Sequence, residues 1–225
     1  AAGTLSLEGP LTQGGLVIGK TEPGAKVTVD GKPVRVSAGG AFLMGFGRDA
    51  KATTRLRIVH PDGSLTDKTL MIVKRDYKVQ RIDGLPDRKV TPKPEDLARI
   101  RDDNAKISSV RNRDTERVFF TSGFMWPAQG PLSGVFGSQR ILNGKPRRPH
   151  NGVDVAAPRG SRVVAAADGV VALTHPDMFL TGKTVMIDHG HGLSSVYVHM
   201  DDILIRQGQP VKKGTPIGIV GKTGR

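Results

Sequence analysis

The chain contains no cysteine, so it forms no disulfide and has no thiolate metal site; any transition-metal site must be built from His, Asp or Glu. Aromatic residues make up only 4% of the 225 positions, and no helix-turn-helix, zinc-finger or RNA-recognition signature accompanies the basic ones. Sequence-specific nucleic-acid binding is therefore not expected. No apolar run approaches the length needed to cross a bilayer. A basic-then-apolar leader is also absent at the start, although Ala1-Ala2-Gly3 is the kind of small-residue sequence that signal cleavage leaves behind. Leu-rich helical periodicity is scarce. What is plentiful is Gly (29) and Pro (15), the composition of short strands joined by many turns, so the expected class is mainly β.

The formal net charge is +13, which suits a polyanionic neighbour: nucleic acid, anionic lipid or the acidic polymers of a bacterial wall. The basic residues are spread along the whole chain, as on any well-solvated surface.

In chain order, residues 1–78 read as consecutive short strands. Val27 and Val29 alternate with polar residues, Asp30-Gly31-Lys32-Pro33 reverses the chain, and Val34 and Val36 resume the alternation. Leu56 and Ile58 alternate with Arg55 and Arg57, and after Pro61-Asp62-Gly63 the run Leu70-Met71-Ile72-Val73 closes a second hairpin. Six or seven strands at this spacing predict an immunoglobulin-like β-sandwich. Its histidine, His60, reads as solvated beside a turn. Residues 79–121 are highly charged; Thr91-Pro92-Lys93-Pro94-Glu95 resembles a helix start, and Leu97, Ile100, Ile107 and Val110 form an imperfect apolar stripe. This segment is expected to be a short, partly helical linker. Residues 122–225 return to strands punctuated by Asp-Gly and Pro-x-Gly turns, an antiparallel β-sheet domain.

The chemistry centres on Pro149-His150-Asn151-Gly152-Val153-Asp154. On a straight strand His150 and Asp154 would stand roughly 13 Å apart. Asn-Gly is a strong turn signal, so a reversal at Asn151-Gly152 is expected to fold His150 back over Asp154. One imidazole and one carboxylate then face the same point, two of the three protein ligands that a catalytic zinc takes. Further on, period-two alternation places Val196, Val198 and Met200 on one strand face and Ser195, Tyr197 and His199 on the other, a core face and a cleft face.

The order F-G-x-x-R (from Phe136), H-x-x-x-D (from His150), A-P-x-G (from Ala157), D-G-x-V (from Asp168), D-H-G-x-G (from Asp188), Y-x-H (from Tyr197) and V-x-x-G-x-x-I-G-x-x-G-x-T-G (from Val211) closely resembles the lysostaphin-type, LytM-like zinc metalloendopeptidases. The resemblance covers residues 126–225. It implies that His150 and Asp154 are zinc ligands and that His199 is a catalytic histidine, with Tyr197 structural. It also implies hydrolysis of the peptide cross-links of peptidoglycan in the periplasm or another extracytoplasmic space. The alternative is a catalytically inactive, peptidoglycan-binding or amidase-activating relative. The family's third zinc ligand and second catalytic histidine come from an H-x-H shortly after the T-G. The sequence is expected to continue past Arg225 with that H-x-H, because the motif is kept up to Thr223-Gly224. His189-Gly190-His191 is not taken as a substitute: it occupies the D-H-G-x-G position, where His189 and His191 read as turn and cleft-rim residues. A phosphate-loop reading of Gly221-Lys222-Thr223 fails because Pro216 stands where a glycine is required.

Overall fold

Seven strands fold the first part of the chain: β1 (Ser6–Glu8), β2 (Leu16–Lys20), β3 (Lys26–Val29), β4 (Lys32–Val34), β5 (Ala41–Gly45), β6 (Thr53–Val59) and β7 (Leu65–Met71). The structure is a computed structural model describing residues 4–224, and the chain divides into two units between Tyr77 and Lys78. In β6 the side chains of Thr54, Leu56 and Ile58 are buried while Thr53, Arg55, Arg57 and Val59 are exposed, the period of two that a half-buried strand requires. One sheet has the order β1-β2-β5 and the other β4-β3-β6-β7. They enclose Val17, Phe42, Leu56 and Ile58, none of which is exposed at all. This is the expected immunoglobulin-like sandwich, with the fourth strand joined to the third rather than to the sheet of the first two. The β3–β4 turn has φ of 48° at Asp30 and 77° at Gly31, the pair of positive values that a tight type I′ reversal needs. His60 departs from expectation. It is buried, bonded through Nε2 to Thr66 Oγ1 at 2.8 Å and ion-paired through Nδ1 with Glu22.

The second unit contains β8 (Val79–Ile82), α1 (Asp87–Val90), α2 (Pro94–Arg111), a 3-10 turn (Phe119–Ser122), β9 (Leu132–Gly134), β10 (Gln139–Leu142), β11 (Lys145–Pro146), β12 (Asp154–Val155), β13 (Arg162–Val164), β14 (Gly169–Met178), β15 (Gly182–Gly190), β16 (Leu193–Ile203), β17 (Pro210–Val211) and β18 (Pro216–Val220). Its frame is an antiparallel sheet of order β13-β18-β16-β15-β14-β17. Strand β15 is covered on both faces. Val185 and Ile187 pack with Val163, Tyr197, Met200 and Ile217, whereas Met186 packs with Ala172 and with Val110 of α2. A strand buried on both sides reads as a continuous apolar run, as Val185-Met186-Ile187 does.

The charged segment 79–121, expected as a linker, is built into this unit. β8 pairs in parallel with β10, and Ile107 and Val110 of α2 pack on the sheet, while Leu97 stays exposed. Much of the docking is polar. Asp103 Oδ2 accepts the Phe179 N–H at 2.8 Å, Arg99 Nη2 reaches Asp177 Oδ2 at 2.7 Å, and Arg88 binds both oxygens of buried Asp96. Bonds to individual carboxylates leave no hydropathy signal, which is why the imperfect apolar stripe reads as a linker rather than as part of a folded unit. The second unit accordingly begins at Lys78 rather than at 122.

Candidate functional site

His150 is held at its backbone: its N–H donates to Ser138 O at 2.9 Å, and its carbonyl accepts the Gly137 N–H at 2.7 Å. Asp154 lies opposite Gly134 in the β12–β9 pair. With both ends fixed, His150 Nε2 stands 3.2 Å from Asp154 Oδ1, so the structure brings together the two residues expected to meet. The route differs from the expected one, since neither Asn151 nor Gly152 has positive φ. The approach is imposed by two neighbouring segments, not by a hairpin turn.

The spacing of these two atoms fits a metal. In a tetrahedral site with bonds of about 2.0–2.1 Å, neighbouring donor atoms stand roughly 3.4 Å apart. Among the described residues no cluster of three or more His, Asp or Glu side chains is placed to hold a metal ion. His150 and Asp154 supply two donors of the kinds that a zinc site uses.

Two further residues shape the carboxylate. Arg140 Nη2 donates to Asp154 Oδ2, leaving Oδ1 toward His150. Partial burial pushes the Asp154 carboxyl up, but the His150 imidazole and the Arg140 guanidinium outweigh that and hold it below the usual carboxylate range. Gly134 makes the room: a Cβ there would lie 2.1 Å from Asp154 Oδ2. The sequence marked Arg140 within F-G-x-x-R without a role, and nothing in it marked Gly134.

Asp154 and His199 line one cleft of about 290 Å³, whose walls include Val153, Val155, Val196, Val198 and Val220. His199 does not reach it by simple alternation. Tyr197 pairs with Val185 and Met200 with Lys183, so β16 spends one residue more than β15 over this interval, a β-bulge. The bulge puts Tyr197 and Met200 together in the core and His199 at φ 60°, which corrects the expected face assignment. Left-handed backbone in a non-glycine residue costs on the order of 1–2 kcal/mol and tends to mark functional positions. The His199 ring is fixed as well. Its Nδ1 lies 2.7 Å from the Thr223 carbonyl oxygen, which can only accept, so Nδ1 carries a proton and the lone pair of the neutral ring is on Nε2.

His189 is neither a turn nor a rim residue, because it lies fully buried within β15. Its Nδ1 is 2.6 Å from Asp168 O and its Nε2 2.8 Å from Ser195 Oγ, which in turn is 3.0 Å from the Tyr197 hydroxyl, itself the acceptor of the Ala166 N–H at 2.8 Å. The Tyr197 oxygen accepts from both the Ser195 hydroxyl and the Ala166 N–H, and His189 Nδ1–H donates to the Asp168 carbonyl. Burial pushes the His189 pKa below 6.5. Below pH 6.5 the unfolded chain therefore binds a proton that the folded chain refuses, so stability falls as pH drops from 6.5 toward the lower folded-state pKa. Thermal melts are expected to show this slope in the native chain and a weaker one in His189→Phe. His191 follows at φ 49° and packs on Phe120 with ring centroids 5.0 Å apart. His175 lies within β14, where Nδ1 accepts the Asp177 N–H at 3.2 Å.

The family model described as peptidase family M23 matches residues 148–225. A crystal structure of a putative peptidase M23 from Pseudomonas aeruginosa superposes over 95% of this chain and 84% of its own, with a TM-score of 0.69 and 27% identity. Residues 148–225 are a peptidase family M23 domain. This M23 domain carries His150, Asp154 and His199, whereas Gly134 and Arg140 precede it. The chain is 44% identical over 79 residues to the peptidoglycan DD-endopeptidase ShyA of Vibrio cholerae, a match covering 34% of this chain and 18% of ShyA. It is 32% identical over 103 residues to the murein hydrolase activator NlpD of Escherichia coli, covering 46% of this chain and 25% of NlpD. The match thus spans a quarter or less of either relative. Among the described residues no helix is long and apolar enough to cross a membrane.

Proposed function

We propose that the chain is a zinc metalloendopeptidase that hydrolyses peptide cross-links of peptidoglycan in an extracytoplasmic space. The observation that carries this reading is the His150 Nε2–Asp154 Oδ1 pair, 3.2 Å apart beside a cleft that also takes His199. His150 and Asp154 would hold the zinc. When bound, zinc supplies Lewis acidity, lowering the pKa of water toward about 7 and polarising a carbonyl.

The chain's own groups supply the rest. His199, whose neutral ring has its lone pair on Nε2 because Nδ1–H is bonded to the Thr223 carbonyl, accepts the proton of the attacking water as general base. Arg140 keeps the Asp154 carboxylate ionised and in place. The net charge of +13 favours residence in an anionic wall.

A second reading, activation of another hydrolase without catalysis, is favoured by the similarity to NlpD, named a murein hydrolase activator. Digestion of purified peptidoglycan by the protein expressed from its natural gene, followed by muropeptide chromatography, separates the two. Loss of cross-linked muropeptides is expected, with His150→Ala and Asp154→Ala both at background. An unchanged cross-linked fraction, together with faster digestion by an added amidase, would overturn the enzyme reading and establish the activator.

A further inference from the structure

We propose that Gln80, acting through Arg140, is a positioning residue for the Asp154 carboxylate, so that a strand well upstream of the M23 domain belongs to its metal site. This rests on the proposed metal-binding role of His150 and Asp154.

The parallel pairing of β8 with β10 sets Gln80 directly opposite Arg140. The Gln80 side chain makes two bonds. Its Oε1 accepts Arg140 Nε at 3.3 Å, and its Nε2 donates to the Ser133 carbonyl at 2.9 Å. Ser133 precedes Gly134, the register partner of Asp154, and Ser133 Oγ also reaches the Asp154 carbonyl at 3.4 Å. One amide thus joins the strand beneath Asp154 to the guanidinium that grips it. An arginine side chain is rotamer-rich and is not placed by one contact alone. With Nε on Gln80 and Nη2 on Asp154 Oδ2, the guanidinium plane is fixed at two points. The carboxylate is then left with Oδ2 occupied and Oδ1 toward His150, a one-oxygen donor rather than a freely swinging pair. Partners of this kind orient ligating carboxylates and tune metal affinity.

The test measures zinc affinity by competition with a chromophoric chelator, in the protein expressed from its natural gene, with melting temperature recorded in parallel. Arg140→Met is expected to weaken zinc binding roughly 10- to 100-fold, the range for losing an outer partner of a ligand. Gln80→Leu should weaken it by a smaller factor, roughly threefold to tenfold. In the Arg140→Met background Gln80→Leu should cause no further loss, because its effect passes through Arg140. Unchanged affinity in Gln80→Leu, or losses that multiply in the double variant, would overturn the proposal, whereas a lowered melting temperature without loss of affinity would show Gln80 to be merely structural. His150→Ala separates the two layers: if zinc binding survives it, the metal-site reading itself fails.

Discussion

His199→Ala is expected to lower peptidoglycan hydrolysis by roughly 10²- to 10⁴-fold, the usual contribution of a positioned general base, while bound zinc stays near the native amount. The ring stands in the cleft beside Asp154 with Nδ1 bonded to the Thr223 carbonyl, and the metal-fitting contact is the one between His150 and Asp154. Loss of stoichiometric zinc in this variant would instead make His199 a ligand. The backbone supplies a second readout. At φ 60° a β-carbon is strained and glycine is not, so His199→Gly should be as inactive as His199→Ala yet more stable by about 1 kcal/mol. Equal melting temperatures for the two would contradict the left-handed bulge.

Gly134→Ala is expected to be nearly as damaging to activity, though the residue carries no side chain and precedes the M23 domain. Its added methyl group would stand 2.1 Å from Asp154 Oδ2 and 3.0 Å from Asp154 Cβ. The obstructing oxygen is the end of a short rotatable side chain, so the carboxylate can swing away at modest cost to the fold. That movement breaks its registration with His150 and Arg140. A displacement of about 1 Å at a reacting centre can cost on the order of 10²-fold in rate, and zinc affinity should fall with it. Gly47→Ala is a suitable comparison: an added Cβ meets nothing within 4 Å and the backbone is not left-handed. Native activity in Gly134→Ala would show that Asp154 does not need its observed orientation.

Much of the fold was readable because it depends on local periodicity. Leu56 and Ile58 between Arg55 and Arg57 dictate a strand with one buried face, and Asp30-Gly31 dictates a tight reversal, so the sandwich follows from residues that are neighbours in sequence. His150, Asp154 and His199 were likewise legible as a motif, and the first two do meet. What misled was extrapolating local rules across an irregularity. Strict alternation put Tyr197 beside His199 on a cleft face, whereas one extra residue in β16 turns Tyr197 into the core; the register of a neighbouring strand, and not the strand's own sequence, decides such a bulge. His189 looked like a turn residue because it occupies the D-H-G-x-G position, yet its environment is set by Asp168, Ser195 and Phe124. The segment 79–121 looked like a linker because its apolar stripe is imperfect and many of its anchors are single polar contacts such as those to Asp177 and Phe179.

By itself the sequence determined the β class, the strand-rich first unit, the absence of thiolate chemistry and the histidines and carboxylate available for a metal, since composition and short-range pattern govern these. Only the tertiary structure decided that Asp154 is gripped by Arg140 under Gln80, that Gly134 clears its path and that His199 is a fixed tautomer on a strained bulge. Each of these depends on groups from 14 to 60 residues apart in sequence coming into contact, a juxtaposition created by sheet register and invisible to any local pattern.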